Sequence, residues 1–170
     1  LSFIEKAQGI HKARSIYEEQ MGKTVSLRQL SELLTREGLP VHYSTVSRME
    51  DALKYLYPWI PDLLESGLGR PQITSLLALR HDAERVWDEF CLISDVSEKS
   101  FSDVFGQCCG RFNSPELWSL EMFRDELIGD LLHAHPGLRA AKGANVAANC
   151  YLFAVFHRRP TQSAFEPVLR

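Results

Sequence analysis

The sequence predicts an all-α protein, and three features of the chain support that prediction. Apolar residues recur at steps of three and four along most of its length, which is the spacing of one helix face. Capping residues such as Ser, and breakers such as Gly and Pro, stand at the ends of these apolar runs. Hydrophobic residues make up 45% and charged residues 24% of the 170 residues, so the chain can bury a core of its own.

The first predicted helix begins at Phe3 and is stopped by Gly22, a residue that readily takes a left-handed helix cap. A second helix begins at the capping box formed by Ser26 and Gln29. It ends at Gly38, and Pro40 prevents its continuation. The expected apolar stripes of these two helices are Phe3, Ala7, Ile10, Tyr17 and Met21 in the first, and Leu27, Leu30, Leu33 and Leu34 in the second.

A third helix is predicted to begin near His42 or Tyr43, with Val46, Met49, Leu53 and Leu56 on its inner side. Pro58 and Pro61 then break the chain. The segment from Ser66 to Gly69 is interpreted as a hinge, after which Pro71 opens a long helix that reaches about Leu92. These elements predict a first domain over residues 1–92.

Residues 97–170 are predicted to form a smaller helical segment whose role is open, self-association being one possibility. Its expected signals are a helical stripe from Phe101 to Phe112, a helix start at Ser114-Pro115-Glu116, and a helix stop at Pro136-Gly137. Ala140 to Ala148 fits a helix, whereas Cys150 to Phe156 fits a strand or a helix equally well.

Several functional classes find no support in the sequence. No apolar run approaches the roughly 18–20 residues of a membrane helix, so we expect no membrane partner. The cysteines form no C-x-x-C pair and are interpreted as reduced core residues. His133 and His135 lie two apart and so do not share a helix face, which argues against a metal site. Phosphate-binding glycine loops and hydrolase motifs are also missing, so we expect neither an enzyme nor a cofactor.

The charge of the chain is unevenly distributed. The formal net charge is −3 and the isoelectric point is about 6.1. Residues 1–80 carry a charge of +1 and residues 81–170 carry −4. A local basic surface is therefore more plausible in the first half than in the second.

The segment from Ser26 to Leu56 has the layout of a helix-turn-helix motif, which binds DNA by placing its second helix in the major groove. Val46 and Met49 are expected to face inward. The residues expected on the outer side or at the N-terminal tip of this second helix are Tyr43, Ser44, Thr45, Ser47 and Arg48. Among these, Ser44, Thr45 and Arg48 are the candidates for base contacts, because an Arg side chain commonly binds two acceptors of guanine.

Five further basic residues are candidates for neutralising DNA phosphates, a contact that does not depend on sequence. They are Lys23, Arg28, Arg36, Lys54 and Arg70. Two local pairings compete with this interpretation: Arg28 can pair with Glu32, and Arg48 can pair with Glu50 or Asp51. The whole segment can also be a tri-helical core that docks another protein.

Residues 1–90 resemble the DNA-binding region of ParB partition proteins, of the ParB/KorB-like kind. The segment from Leu1 to Ala7 resembles the one that opens this region, and Ser26 to Leu30 resembles the start of its first motif helix. Ser44 to Arg48 resembles the recognition helix. Two short segments are similar to segments of ParB-like proteins of integrating conjugative elements: Pro58-Trp59-Ile60-Pro61 and Gly67 to Pro71. The arginine-rich nucleotide-binding motifs of the ParB N-terminal domain do not occur in this sequence.

The resemblance implies recognition of a centromere-like or operator site in double-stranded DNA, in the partition or maintenance of a plasmid or mobile element. It also implies a homodimer, a ParA-type ATPase as partner, and a cytoplasmic location at the nucleoid or the element. Two alternatives remain: a transcriptional repressor with the same motif, and a helical protein-interaction module that does not bind DNA.

Overall fold

The structure, a computed structural model, describes residues 1–91 and 99–144. Helices form all the regular secondary structure within these ranges, so the prediction of an all-α protein is confirmed. The helices are α1 (Phe3–Met21), α2 (Leu27–Arg36), α3 (Tyr43–Asp51), α4 (Pro61–Glu65), α5 (Arg70–Cys91), α6 (Phe101–Gly110), α7 (Leu120–Ala134) and α8 (Pro136–Ala144). A π-helical turn, Ala52–Leu56, follows α3 directly.

The chain divides into two compact units, of which the first is Leu1–Thr74 and the second begins at Ser75. The division therefore falls inside α5. The predicted boundary between the two domains, at residues 92–97, lies outside the described residues, as do the segment Cys150 to Phe156 and the end of the predicted helix at Ala148.

The first helix has the predicted ends but a shifted buried face. The Ser2 side chain and Glu5 form a capping box at its start, and Gly22 ends it with a φ of 66°. The fully buried residues are Ile4, Ala7 and Ile10, whereas Met21 of the predicted stripe is 44% exposed. The stripe of Ile4, Ala7 and Ile10 packs α1 against α3 and the π-helical turn.

The core of the first unit lies between α1, α2, α3, the π-helical turn and α4. Its fully buried large side chains are Ile4, Leu30, Leu56, Ile60, Leu63, Leu64 and Ile73, and Val46 and Ala52 are equally buried. Helix α3 packs against both α1 and α2. At about 25 cal/mol per Å² of apolar surface, this burial is the main force that holds α3 in place.

In the second unit, α6 packs on α7 and α7 on α8. Its core is aromatic: the rings of Phe105 and Phe112 lie 5.8 Å and 5.6 Å from that of Phe123, nearly at right angles. Cys108 and Cys109 are buried in this core as free thiols, which agrees with their interpretation as core residues. Burial raises the pKa of the Cys108 thiol to about 12. The side chains of Cys91 and Cys150 are outside the described part of the chain.

One predicted helix boundary in the second unit is wrong and another is confirmed. Ser114 to Leu117 forms a turn, and α7 begins only at Leu120, where the Ser119 hydroxyl accepts the Met122 amide hydrogen. The predicted stop is correct, since α7 ends at Ala134, just before Pro136. Pro136 then opens α8, because its missing N–H is not needed at the first helical position. His135 caps this helix: its Nδ1 accepts the Leu138 amide hydrogen at 3.1 Å.

Candidate nucleic-acid interface

The connection between α2 and α3 is fixed by hydrogen bonds at the end of α2. Gly38 takes a left-handed conformation with a φ of 90°, which a residue with a Cβ rarely adopts. The Leu39 amide donates to the Leu34 carbonyl at 2.8 Å, and the Gly38 amide donates to that of Thr35 at 3.1 Å. This is the Schellman pattern of helix termination. The chain therefore leaves α2 in one defined direction.

The start of α3 is also held by specific bonds. His42 is its N-cap, and the His42 Nδ1 accepts the Ser44 amide hydrogen at 3.1 Å. The Ser44 hydroxyl lies 2.7 Å from the same nitrogen. The Ser31 hydroxyl of α2 donates to the Val41 carbonyl, one residue before the cap. These contacts join α2, the connection and the first turn of α3.

The inner side of α3 is anchored to α1 by packing and by charge. Val46 is fully buried and Met49 is 5% exposed. On the edge next to Val46, the Glu50 carboxylate lies 3.1 Å from the His11 Nδ1 and 3.7 Å from the Arg14 guanidinium. The same guanidinium donates to the Val25 carbonyl at 2.7 Å and 3.1 Å. One Arg side chain thus ties α1, the loop before α2, and α3 together.

The opposite side of α3 carries Ser44, Ser47, Arg48 and Asp51, which the 100° step between helical residues brings to one face. Ser44 and Asp51 are exposed, and Ser47 and Arg48 are half-buried. Because Glu50 is turned toward α1, it does not pair with Arg48. Within residues 1–91 and 99–144, the Arg48 guanidinium has no hydrogen bond or ion pair. Its donors are therefore available to a ligand.

Tyr43 and Thr45 lie at the two edges of this outward face. Tyr43 is 36% exposed, and the Arg28 guanidinium lies 4.4 Å from the centre of its ring, a cation–π contact. Arg28 forms no salt bridge with Glu32 in the described part of the chain. Thr45 is half-buried and points into a groove beside α1. Of the five predicted tip residues, Thr45 is therefore the one turned most toward the protein.

The five candidate phosphate-binding residues are all exposed. Lys23 lies in the loop between α1 and α2, and Arg28 and Arg36 are at the two ends of α2. The Lys54 ammonium group, in the π-helical turn, lies 5.1 Å from the centre of the Tyr55 ring. Arg70, at the start of α5, lines the same groove as Thr45.

The residues that hold α3 in place were not predicted from the sequence. His42 has a sequence signal, since it directly precedes the first helical residue, where an N-cap is required. The contact of Glu50 with His11 and Arg14 has no such signal, because the partners lie more than 35 positions apart. Only the packing of α3 on α1 brings these side chains together.

No family model, no curated protein and no solved structure matches this chain. The described residues contain no group of three or more His, Cys, Asp or Glu side chains that could hold a metal ion. None of the helices in residues 1–91 and 99–144 is both long enough and apolar enough to cross a membrane.

Proposed function

We propose that the first unit binds double-stranded DNA, with α3 as the helix that enters the major groove. The observation that carries this proposal is the outward face of α3: Ser44, Ser47 and Arg48, whose guanidinium has no ion pair with any described residue, stand together on a helix held by α1 and α2. Short hydroxyl side chains let a helix backbone approach base edges, and a free guanidinium can bind the O6 and N7 of guanine.

The surroundings of α3 favour contact with the DNA backbone. Five exposed basic residues stand on the elements next to it, in the α1–α2 loop, on α2, in the π-helical turn and at the start of α5. If each neutralises one phosphate, the logarithm of the binding constant should fall with the logarithm of salt concentration with a slope of about −4 to −5 per protomer.

The decisive experiment starts from a duplex site selected from a random oligonucleotide pool with the full chain. Affinities for this site and for an unrelated duplex are then measured by fluorescence anisotropy at several salt concentrations. We expect Arg48→Ala to weaken specific binding by about 5- to 150-fold, which is the effect of losing one bidentate hydrogen bond to guanine. Non-specific binding should weaken much less.

Two further variants test how Arg48 acts. Arg48→Lys keeps the charge but lacks the planar guanidinium group that can donate two parallel hydrogen bonds. This variant should therefore lose most of the sequence specificity and keep the salt dependence of binding. Arg85→Ala is the control for the loss of one positive charge, since Arg85 is exposed and belongs to the second unit. Equal losses of specific and non-specific binding would make Arg48 a phosphate contact only. No binding to any duplex at low salt would instead favour a protein-interaction module.

We further propose that this DNA binding serves partition or maintenance of a plasmid or mobile element, on the resemblance of residues 1–90 to ParB-type proteins. A homodimer fits such a role, because two protomers read a palindromic site and double the contact. A ParA-type ATPase is the partner that the resemblance implies. The position of the selected site distinguishes this role from that of a transcriptional repressor: a repeated centromere-like array supports partition, and a promoter supports repression.

A further inference from the structure

A groove of about 560 Å³ lies in the first unit beside α3. Its walls are α1, the end of α2, the connection between α2 and α3, and α3 itself, and Arg70 also lines it. The DNA-binding proposal uses the other face of α3 and, of the residues that line this groove, only Arg70. The volume falls in the range of about 300–1,000 Å³ that is typical of small-molecule sites.

The floor of the groove is apolar. Ile10, Ala13, Leu34, Leu39, Val41 and Met49 line it. Leu39 is 49% exposed although it is a large hydrophobic residue, so the groove presents apolar surface to solvent. An occupant with an apolar body would remove that surface from water.

The basic and acidic side chains that line the groove differ in whether they already have a partner. Lys6 and Arg70 are both exposed, and within the described residues neither side chain has an ion pair. Glu5 is the one acidic residue among those that line the groove, and its carboxylate already accepts the Ser2 amide hydrogen at 2.8 Å in the capping box. The available charge is therefore positive, and it complements an anionic group.

Gly9 leaves part of the wall without a side chain. It lies inside α1, and a Cβ built on it would meet no atom within 4 Å. The wall of the groove is thus bare backbone at this position, and a side chain placed there would extend into open space.

We propose that this groove binds a small amphipathic carboxylate, such as a medium-chain fatty acid. Its hydrocarbon tail lies along the Leu34–Met49 floor, and its carboxylate is held by Lys6 and Arg70. This proposal does not depend on DNA binding: the ligand and the duplex occupy different faces of α3, and Arg70 is the one residue that both proposals use.

The test is a titration of the full chain with decanoate and, in parallel, with decanol, followed by amide chemical shifts. We expect saturable shifts in α1, the α2–α3 connection and α3, and tighter binding of decanoate than of decanol. Lys6→Ala and Arg70→Ala should each weaken decanoate binding by about two- to fivefold, the usual effect of an exposed ion pair, and leave decanol binding unchanged. Lys12→Ala is the matched control, because Lys12 is an exposed lysine of α1 that does not line the groove.

A second pair of variants tests occupation of the groove itself. Gly9→Leu should abolish binding of both probes, because its side chain fills the space that they need. Gly129→Leu makes the same change in a helix where a Cβ also meets no atom within 4 Å, and it should leave binding unchanged. Equal affinity for decanoate and decanol, or shifts confined to other elements, would overturn the proposal. So would groove shifts that grow with protein concentration alone, which would identify a second copy of the chain as the occupant.

Discussion

Alanine at Gly9 should make the protein more stable, whereas alanine at Gly22 should make it less stable, although both residues belong to the same helix or its cap. In both places a new Cβ would meet no atom within 4 Å, so crowding is absent from the comparison. The two glycines differ in backbone conformation: Gly9 lies in the helix interior, and Gly22 has a φ of 66°.

The magnitudes follow from these conformations. A glycine inside a helix costs about 0.5–1 kcal/mol relative to alanine, so Gly9→Ala should raise the free energy of unfolding by that amount. A left-handed conformation costs an L-residue about 1–2 kcal/mol, which is partly offset because alanine also stiffens the unfolded chain. Gly22→Ala should therefore lower the free energy of unfolding by about 1 kcal/mol.

The assay is urea unfolding followed by far-ultraviolet circular dichroism, with hydrogen exchange of α1 amides to identify the transition of the first unit. The two variants should shift the midpoint in opposite directions, each by about 0.3–0.8 M. Gly9→Asn and Gly22→Asn serve as a second pair, because Asn accepts the left-handed conformation better than Ala. A shift of both alanine variants in the same direction would refute the reasoning.

Two further predictions concern the second unit. His135 is 1% exposed, and burial lowers its pKa. The contribution of the neutral imidazole to the free energy of unfolding is therefore fully present above about pH 6.5, and it is lost as the pH falls toward the lower pKa of the folded state. The His135→Asn variant keeps a capping acceptor but does not titrate. In urea unfolding at pH 7.5 and pH 5, its free energy of unfolding should fall less between the two pH values than that of the parent protein. Cys108 and Cys109 should not react with a thiol reagent at pH 8 in a C91S/C150S variant until urea unfolds the protein. Rapid labelling of the folded variant would contradict their burial.

The parts of the fold that the sequence predicted well are those fixed by neighbouring residues. The Ser26 hydroxyl accepts the Gln29 amide hydrogen at 3.2 Å, and the Gln29 side chain accepts that of Ser26 at 3.0 Å, as the capping box predicts. Gly22 ends α1, and α3 begins at Tyr43. Each of these signals is complete within four residues, so no knowledge of the tertiary structure is needed to interpret it.

The start of α7 was mispredicted because distant packing overrides a valid local signal. Ser114 and Pro115 have the residue types of a helix start, but the Trp118 amide donates to the Ser114 carbonyl at 3.0 Å and closes a turn instead. This turn places the Trp118 ring 6.4 Å from that of Phe112 and 5.6 Å from that of Phe123. The contact among three aromatic rings decides where the helix begins, and a single sequence does not show which rings will meet.

The candidate site shows the same division between local and distant information. The helical period correctly assigned Val46 and Met49 to the inside, so the outward side of α3 followed from them. The period did not show that Arg28 would lie over the Tyr43 ring, or that Thr45 would face a groove. Those outcomes depend on how α2 and α1 are placed beside α3.

The Arg14 guanidinium, which reaches both the Val25 carbonyl and the Glu50 carboxylate, has a consequence for any duplex that the protein binds. It connects the loop that carries Lys23 to α3, so in the proposed complex the candidate phosphate contact and the candidate base contacts would be presented at a constant spacing. A protein surface held in this way would not adapt its shape to the site. The bending or twisting needed for a fit would then come from the DNA, and sequences that deform easily would be preferred even at base pairs that no side chain touches.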